Sequence, residues 1–123
     1  MIEQKISKLN GYFDKEISLC EQRSKNLLAD DRADEAAHEK IKANVYGIFR
    51  TILSVAVKTG KGDPDAVRHF FFLKIQQIPS NWTTAYDQAR QHDDTVKIQV
   101  EQIKLDTVGR IRETFAAIWE EES

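Results

Sequence analysis

Cysteine occurs once, at Cys20, so the chain can form no internal disulfide and its fold has to rest on packing alone. Proline occurs twice and glycine five times, and decisive breaks fall in only two places. These are Gly60-Lys61-Gly62-Asp63-Pro64 and Pro79-Ser80-Asn81-Trp82. Long apolar runs are missing too. Runs such as Phe70-Phe71-Phe72-Leu73 are far short of the ~20 residues that a spanning helix needs, so no transmembrane segment is expected. Neither charge sign dominates: 18 basic and 20 acidic residues are interspersed, with a formal net charge of −2. No broad positive field is available for phosphate backbones or anionic lipid, and neither nucleic acid nor membrane is expected as a partner. The segment Met1-Ile2-Glu3-Gln4-Lys5 lacks the apolar core of a signal peptide, which makes the cytoplasm the expected location.

What is present is helical periodicity in a chain of one-domain length, 123 residues. The composition, 41% apolar and 31% charged, suits long helices with wide solvated faces and argues against disorder. Ile2, Ile6, Leu9, Phe13, Ile17, Cys20 and Leu27 recur mostly at steps of three or four and form one stripe of a helix over about 2–28. The stripe continues in phase across Asn10-Gly11, so Gly11 reads as a tolerated helical glycine. The second segment is the most apolar. Ala37, Ile41, Val45, Ile48, Phe49, Ile52, Leu53, Val55 and Ala56 cover more than the ordinary third of a helix circumference, so this helix has to touch more than one neighbour.

How the first two stripes connect is open at this level, because no glycine or proline lies between Tyr12 and Tyr46. A hairpin near Ala29-Asp30-Asp31, with Asp30 or Asp31 as N-cap, packs the two helices within one chain. A continuous rod over 2–59, ~85 Å long at ~1.5 Å per residue, has to borrow helices from a second chain. The break at Gly60–Pro64 is firm: Gly60 suits a left-handed position past a helix end, Asp63 can cap, and Pro64 fits the first helical turn. A short third helix is predicted over 65–78, stopped by Pro79. Ser80 or Asn81 then caps a short fourth helix on Trp82, Ala85, Tyr86 and Ala89, and Gln91-His92-Asp93-Asp94 bends into a long final helix. No internal repeat is visible in the residue pattern. The expected architecture is an all-α single domain over 1–123: a bundle of four to five helices with long antiparallel members, completed if need be by a second subunit.

Chemistry-bearing patterns are thin. Glu35-Ala36-Ala37-His38 puts a carboxylate and an imidazole on one helix face, as di-iron bundles do. Such bundles need the motif twice. Ala66 and Ala89 stand where His69 and His92 would need a glutamate. Glu35 and His38 are therefore weak metal candidates, with Glu16 and Glu101 as distant supplements, and no metal or other cofactor is expected. Cys20 continues an apolar stripe and reads as a small core residue. Asn81-Trp82-Thr83 matches a glycosylation acceptor but reads better as a helix start. Lys58, Lys61, Arg68 and Lys74 make a modest basic region, with Arg110 and Arg112 another.

Phe70, Phe71 and Phe72 carry more weight. Consecutive helical residues point about 100° apart, so the three rings sweep roughly 200° and a helix exposed on one side cannot hide them all. They are the candidate interface, together with Trp119 near the end of the final helix. The expected function is non-enzymatic: a small cytoplasmic helical protein acting through protein-protein association as a homodimer, or with an unidentified protein partner. The alternative is a regulatory bundle that binds a small molecule or metal in a pocket lined by Phe49, Phe70, Trp82, Tyr86 and Trp119.

Overall fold

A three-residue turn decides how the first two stripes meet. The computed structural model describes residues 2–120 and contains four α-helices, α1 (Ile2–Ala29), α2 (Ala33–Gly60), α3 (Pro64–Gln91) and α4 (Thr95–Trp119). Between α1 and α2, Asp31 adopts the left-handed conformation (φ 59°). The Arg32 N–H then donates back to the Leu27 carbonyl at 2.8 Å, closing the last turn of α1. Aspartate is among the few non-glycine residues that enter this region at low cost, which is why no glycine is needed. Residues 2–59 are thus a hairpin, and Asp31 serves as its hinge where a capping role was expected. The cap position of α2 is taken by Arg32, whose side chain accepts nothing there. Its guanidinium instead pairs with Glu35 in the first turn of α2.

The second boundary follows the sequence expectation with one change. Asp63 caps α3 by accepting the Asp65 N–H at 3.1 Å, and Pro64 occupies the first helical position. The left-handed residues are Lys61 (φ 50°) and Gly62 (φ 82°), whereas Gly60 is the last residue of α2. Close approach explains that glycine: a Cβ at Gly60 would lie 2.8 Å from Val67 Cγ2 and 3.2 Å from the Val67 nitrogen.

Pro79 does not end a helix. α3 runs through it to Gln91, so the expected short third and fourth helices are one element as long as α1 and α2, and Ser80 and Asn81 cap nothing. An interior proline costs about 3 kcal/mol. Phe71, Ile75, Ile78, Trp82, Tyr86 and Ala89 stay in phase on both sides of it, so burial along the whole stripe outweighs that loss. The Ser80 hydroxyl also donates to the Gln77 carbonyl (2.7 Å) and Thr83 Oγ1 to the Pro79 carbonyl (3.2 Å), adding bonds around the interrupted turn.

Short connections make sequential helices antiparallel neighbours, and the result is an all-α bundle. α2 packs on each of the other three helices, as its wide apolar surface requires, while α1 lies along α2 and meets α4 only sparingly. One such meeting is at Lys5, whose ammonium donates to the carbonyls of Ile118 (3.2 Å) and Trp119 (2.6 Å) at the negative end of α4. The core is a column of rings: Phe49 meets Phe71 edge-on at 6.1 Å, and Phe71 stacks on Phe115 at 4.4 Å. Phe13, Leu9, Leu53, Ile75 and Ile111, all fully buried, close around them. No helix among the described residues is long and apolar enough to cross a membrane.

The structure also exposes an internal repeat that the residue pattern hides. Adding 62 to a number in the α1/α2 hairpin lands on its counterpart in the α3/α4 hairpin. The hinge Asp31 maps onto Asp93, which is also left-handed (φ 51°). The Asp94 N–H donates to the Ala89 carbonyl at 3.0 Å, matching Arg32 to Leu27. Core positions correspond as well, Leu9 to Phe71, Phe13 to Ile75, Phe49 to Ile111 and Leu53 to Phe115. The sequence trace of this repeat is Glu39-x-Ile41-Lys42-x4-Gly47-x2-Arg50 against Glu101-x-Ile103-Lys104-x4-Gly109-x2-Arg112.

Candidate interaction surface

The aromatic candidates separate by environment. Phe71 is fully buried in the chain's own core, Phe70 is half-buried with the Lys74 ammonium 5.5 Å above its ring, and Phe72 is exposed. One ring in, one at the rim and one out is what a 200° sweep across a helix packed on one side produces. Trp119 is half-buried. Its ring stacks on Phe115 at 5.2 Å with the Lys5 ammonium 6.0 Å above, so partners within the chain already hold it. Phe72 lines a small surface groove of about 350 Å³ with Asp65, Arg68 and His69.

The aromatic set proposed as a pocket wall is dispersed. Phe49 sits inside the ring column, Trp82 lies under the Lys104 ammonium at 5.7 Å, and the Tyr86 ring faces the Arg90 guanidinium at 5.9 Å. A larger concavity, about 460 Å³ and open to solvent, runs between α1 and α2. Ile6, Leu53 and Val57 are the apolar part of its lining, and Asn10, Arg50, Thr51, Ser54 and Lys58 the polar part. Arg50 is engaged there, its Nε 2.8 Å from Asp14.

The candidate metal ligands are not gathered. Glu35 is exposed and paired with Arg32, His38 is half-buried a turn further on, and no group of three or more His, Cys, Asp or Glu able to hold an ion occurs among the described residues. Glu101 is buried beside Lys104 (3.3 Å), and Glu39 makes the matching pair with Lys42 at 3.3 Å in the first hairpin. The second carboxylate oxygen of each lacks a hydrogen-bond partner. Cys20 faces Glu39. Burial first, and then the negative charge of the nearby Glu39 carboxylate, push the thiol up to about 11, which makes it a poor nucleophile. Tyr46 is likewise raised well above the ordinary phenol value by burial and by its hydrogen bond with Tyr12.

The surface that stands out was not among the expected site residues. α2 is the central helix, yet its outer side carries Ile48 and Val55 at 40% and 44% exposure. Asn44 and Thr51, also exposed, complete a face with steps of four, three and four. From Ala43 to Val57 the only charge is Arg50, and Arg50 is turned toward Asp14 of α1. In a chain that is 31% charged, the roughly three turns of exposed face from Asn44 to Val55 without a charge are unusual. The signal was present in the sequence as apolar residues spread too widely around one helix; it pointed to the helix without saying which residues packing would leave outside. The chain matches no family model, no curated protein and no solved structure.

Proposed function

We propose that this chain is a non-enzymatic helical association module that works as a homodimer in the cytoplasm. The observation that supports it most is the outer face of α2, where Asn44, Ile48, Thr51 and Val55 present exposed apolar and uncharged surface on the helix most engaged with the rest of the bundle. The side-chain chemistry agrees. The thiol is buried and raised, the half-buried Glu39 and the buried Glu101 each stand beside a lysine, and the imidazoles of His38, His69 and His92 lie on the surface or at its edge. None of these is arranged as a nucleophile with its base.

Sedimentation of the purified chain across a concentration series tests the proposal, with a dimer expected. A monomer at every concentration would overturn it. A second role, binding a small amphipathic anion, attaches to the α1/α2 concavity, where an apolar lining meets Arg50 and Lys58. Native mass spectrometry of freshly purified protein decides that point: a retained adduct lost in Arg50→Ala supports the second role, and bare protein leaves association alone.

A further inference from the structure

Two turns at the same end of the bundle are shaped alike and secured differently. Asp31 and Asp93 hold the same left-handed conformation, but α4 is capped, since Asp94 accepts the Lys97 N–H at 3.1 Å, whereas no side chain caps α2. The α1–α2 turn is also written in residues that a helix accepts. It reads Ala29-Asp30-Asp31-Arg32-Ala33, without glycine or proline, and a left-handed aspartate regains ordinary backbone geometry when such a turn becomes helical. Phase is kept as well. From Ser24, the positions Leu28, Asp31, Glu35, Glu39, Lys42 and Tyr46 follow at steps of three or four, so in a continuous helix the buried side of α1 runs into the buried side of α2. Packing says which element can leave. α1 lies along α2 and meets α4 only sparingly, and the bundle end that holds the turn is the one whose buried residues are small or polar, Ser24, Ala36 and Ala89. Val96 and Leu28, at 71% and 48% the most exposed large apolar side chains among the described residues, lie at this same end.

We propose that the chain dimerises by exchanging α1: the α1–α2 turn straightens, α1 and α2 become one helix, and α1 of each copy takes, on the other copy's α2, the place it holds within its own chain in the closed hairpin. This rests on the homodimeric association proposed above and supplies its route. The occupant is fixed by contacts already present in the monomer. A second copy's α1 brings the same Leu9, Phe13 and Cys20 to the core, and the same Lys5 to the end of α4. Contacts between helices are therefore kept, and the two states differ in the turn and in the meeting of two bundle ends, where Leu28 and Val96 leave water. Charge opposes the exchange. Asp30, Asp31, Asp34 and Glu35 outnumber Arg32 where two straightened turns lie side by side, so the dimer strengthens as salt screens them.

Cross-linking in the full chain separates exchange from contact between surfaces. Arg50 Nε lies 2.8 Å from Asp14, so Asp14→Cys with Arg50→Cys, in a Cys20→Ala background, sets two thiols within reach of a short bis-maleimide across the α1–α2 contact. Sedimentation establishes the dimer, and denaturing electrophoresis after linking reads which chains are joined. A covalent dimer is expected, with no link between chains in either single-cysteine variant. A sedimenting dimer linked only within each chain overturns the exchange and leaves association standing. A link between chains in Arg50→Cys alone marks contact between surfaces and has the same consequence. A monomer at every concentration overturns the association itself. The turn is tested in chains that keep Cys20, Asp14 and Arg50. Asp31→Gly makes the left-handed turn easier and the helix harder, and is expected to weaken the dimer by roughly tenfold, while Asp31→Ala strengthens it. Circular dichroism checks that both stay folded, and equal dimerisation of the two variants and the wild type would overturn the part assigned to the turn.

Discussion

The two ends of the bundle are built from different materials. At the end holding the α2–α3 loop, the buried residues are Leu9, Phe13, Phe49, Leu53, Phe71, Ile111 and Phe115, with rings in contact across three helices. At the opposite end, beyond Cys20 on α1 and Glu101 on α4, the buried residues are small or polar: Ser24, Ala36 and Ala89. Each buried ring contributes roughly 1.5–3 kcal/mol relative to exposure, while an alanine contributes far less. Stability is therefore concentrated at one end. The other is held by side-chain hydrogen bonds and by the glutamate–lysine pairs on α2 and α4, and it is where local opening should begin.

The sharpest way to break this contrast is to cut one large side chain at the aromatic end. Phe71→Ala removes the ring that touches both Phe49 and Phe115, and a loss of about 3–5 kcal/mol in urea unfolding is expected. Ser24→Ala at the far end forfeits one hydrogen bond, from the Ser24 hydroxyl to the Ala36 carbonyl at 3.2 Å, and should cost about 1 kcal/mol. Equal costs at the two sites would show that the ends are energetically alike.

Alkali acts on the polar end next. The Cys20 thiol is raised from 9.0 to about 11 in the folded chain, by burial and by Glu39. Below pH 9 both states keep the proton and the stability is fully present. As pH rises from about 9 toward about 11, the unfolded chain loses its proton while the folded chain retains it, so stability falls, by on the order of 2–3 kcal/mol at the limit. Tyr46 is raised too and adds a loss of the same sign at higher pH. Subtracting the unfolding curves of Cys20→Ala isolates the thiol. A wild-type minus variant difference that is flat from pH 8 to pH 11 would contradict the buried thiol.

Gly60→Ala probes the loop nearest the rings. The added methyl meets the Val67 side chain at 2.8 Å and the Val67 backbone nitrogen at 3.2 Å. A side chain can turn away but a backbone cannot, so about 1–3 kcal/mol should be lost. Thermal unfolding checks it, and an unchanged midpoint would mean that the α2–α3 crossing is loose.

Legibility in the sequence followed what each residue does locally. The all-α class and the Asp63-Pro64 start of α3 were visible because capping and ring geometry act within one turn. The α1–α2 hairpin stayed open because its hinge is Asp31, a residue that helices also accept, and only the packing of α1 on α2 selects its left-handed state. Pro79 misled for the opposite reason. A strong local breaker was outweighed by a stripe from Phe71 to Ala89 that is buried on both sides of it. The repeat was hidden because core positions exchange residue types freely, phenylalanine for isoleucine at 49 and 111, whereas the conserved trace lies on a few polar residues and glycines. At the candidate interface, sequence singled out a run of rings on α3. The exposed face of α2 needed knowledge of which side three neighbours occupy.

The two hinges give the finest comparison, because Asp31 and Asp93 hold the same left-handed conformation, at φ 59° and 51°, in matched turns of the two hairpins. A non-glycine residue pays roughly 1–2 kcal/mol to stand there, less for aspartate. Glycine removes that strain but widens the unfolded ensemble, so the net gain should be under about 1 kcal/mol at either site. If the hairpins are structural duplicates, Asp31→Gly and Asp93→Gly should raise the unfolding midpoint by similar amounts, and the double variant should show their sum, since the two turns belong to separate hairpins. A gain at one hinge with a loss at the other would mean that one aspartate makes a contact its counterpart lacks, and the equivalence of the two turns would fail at that point.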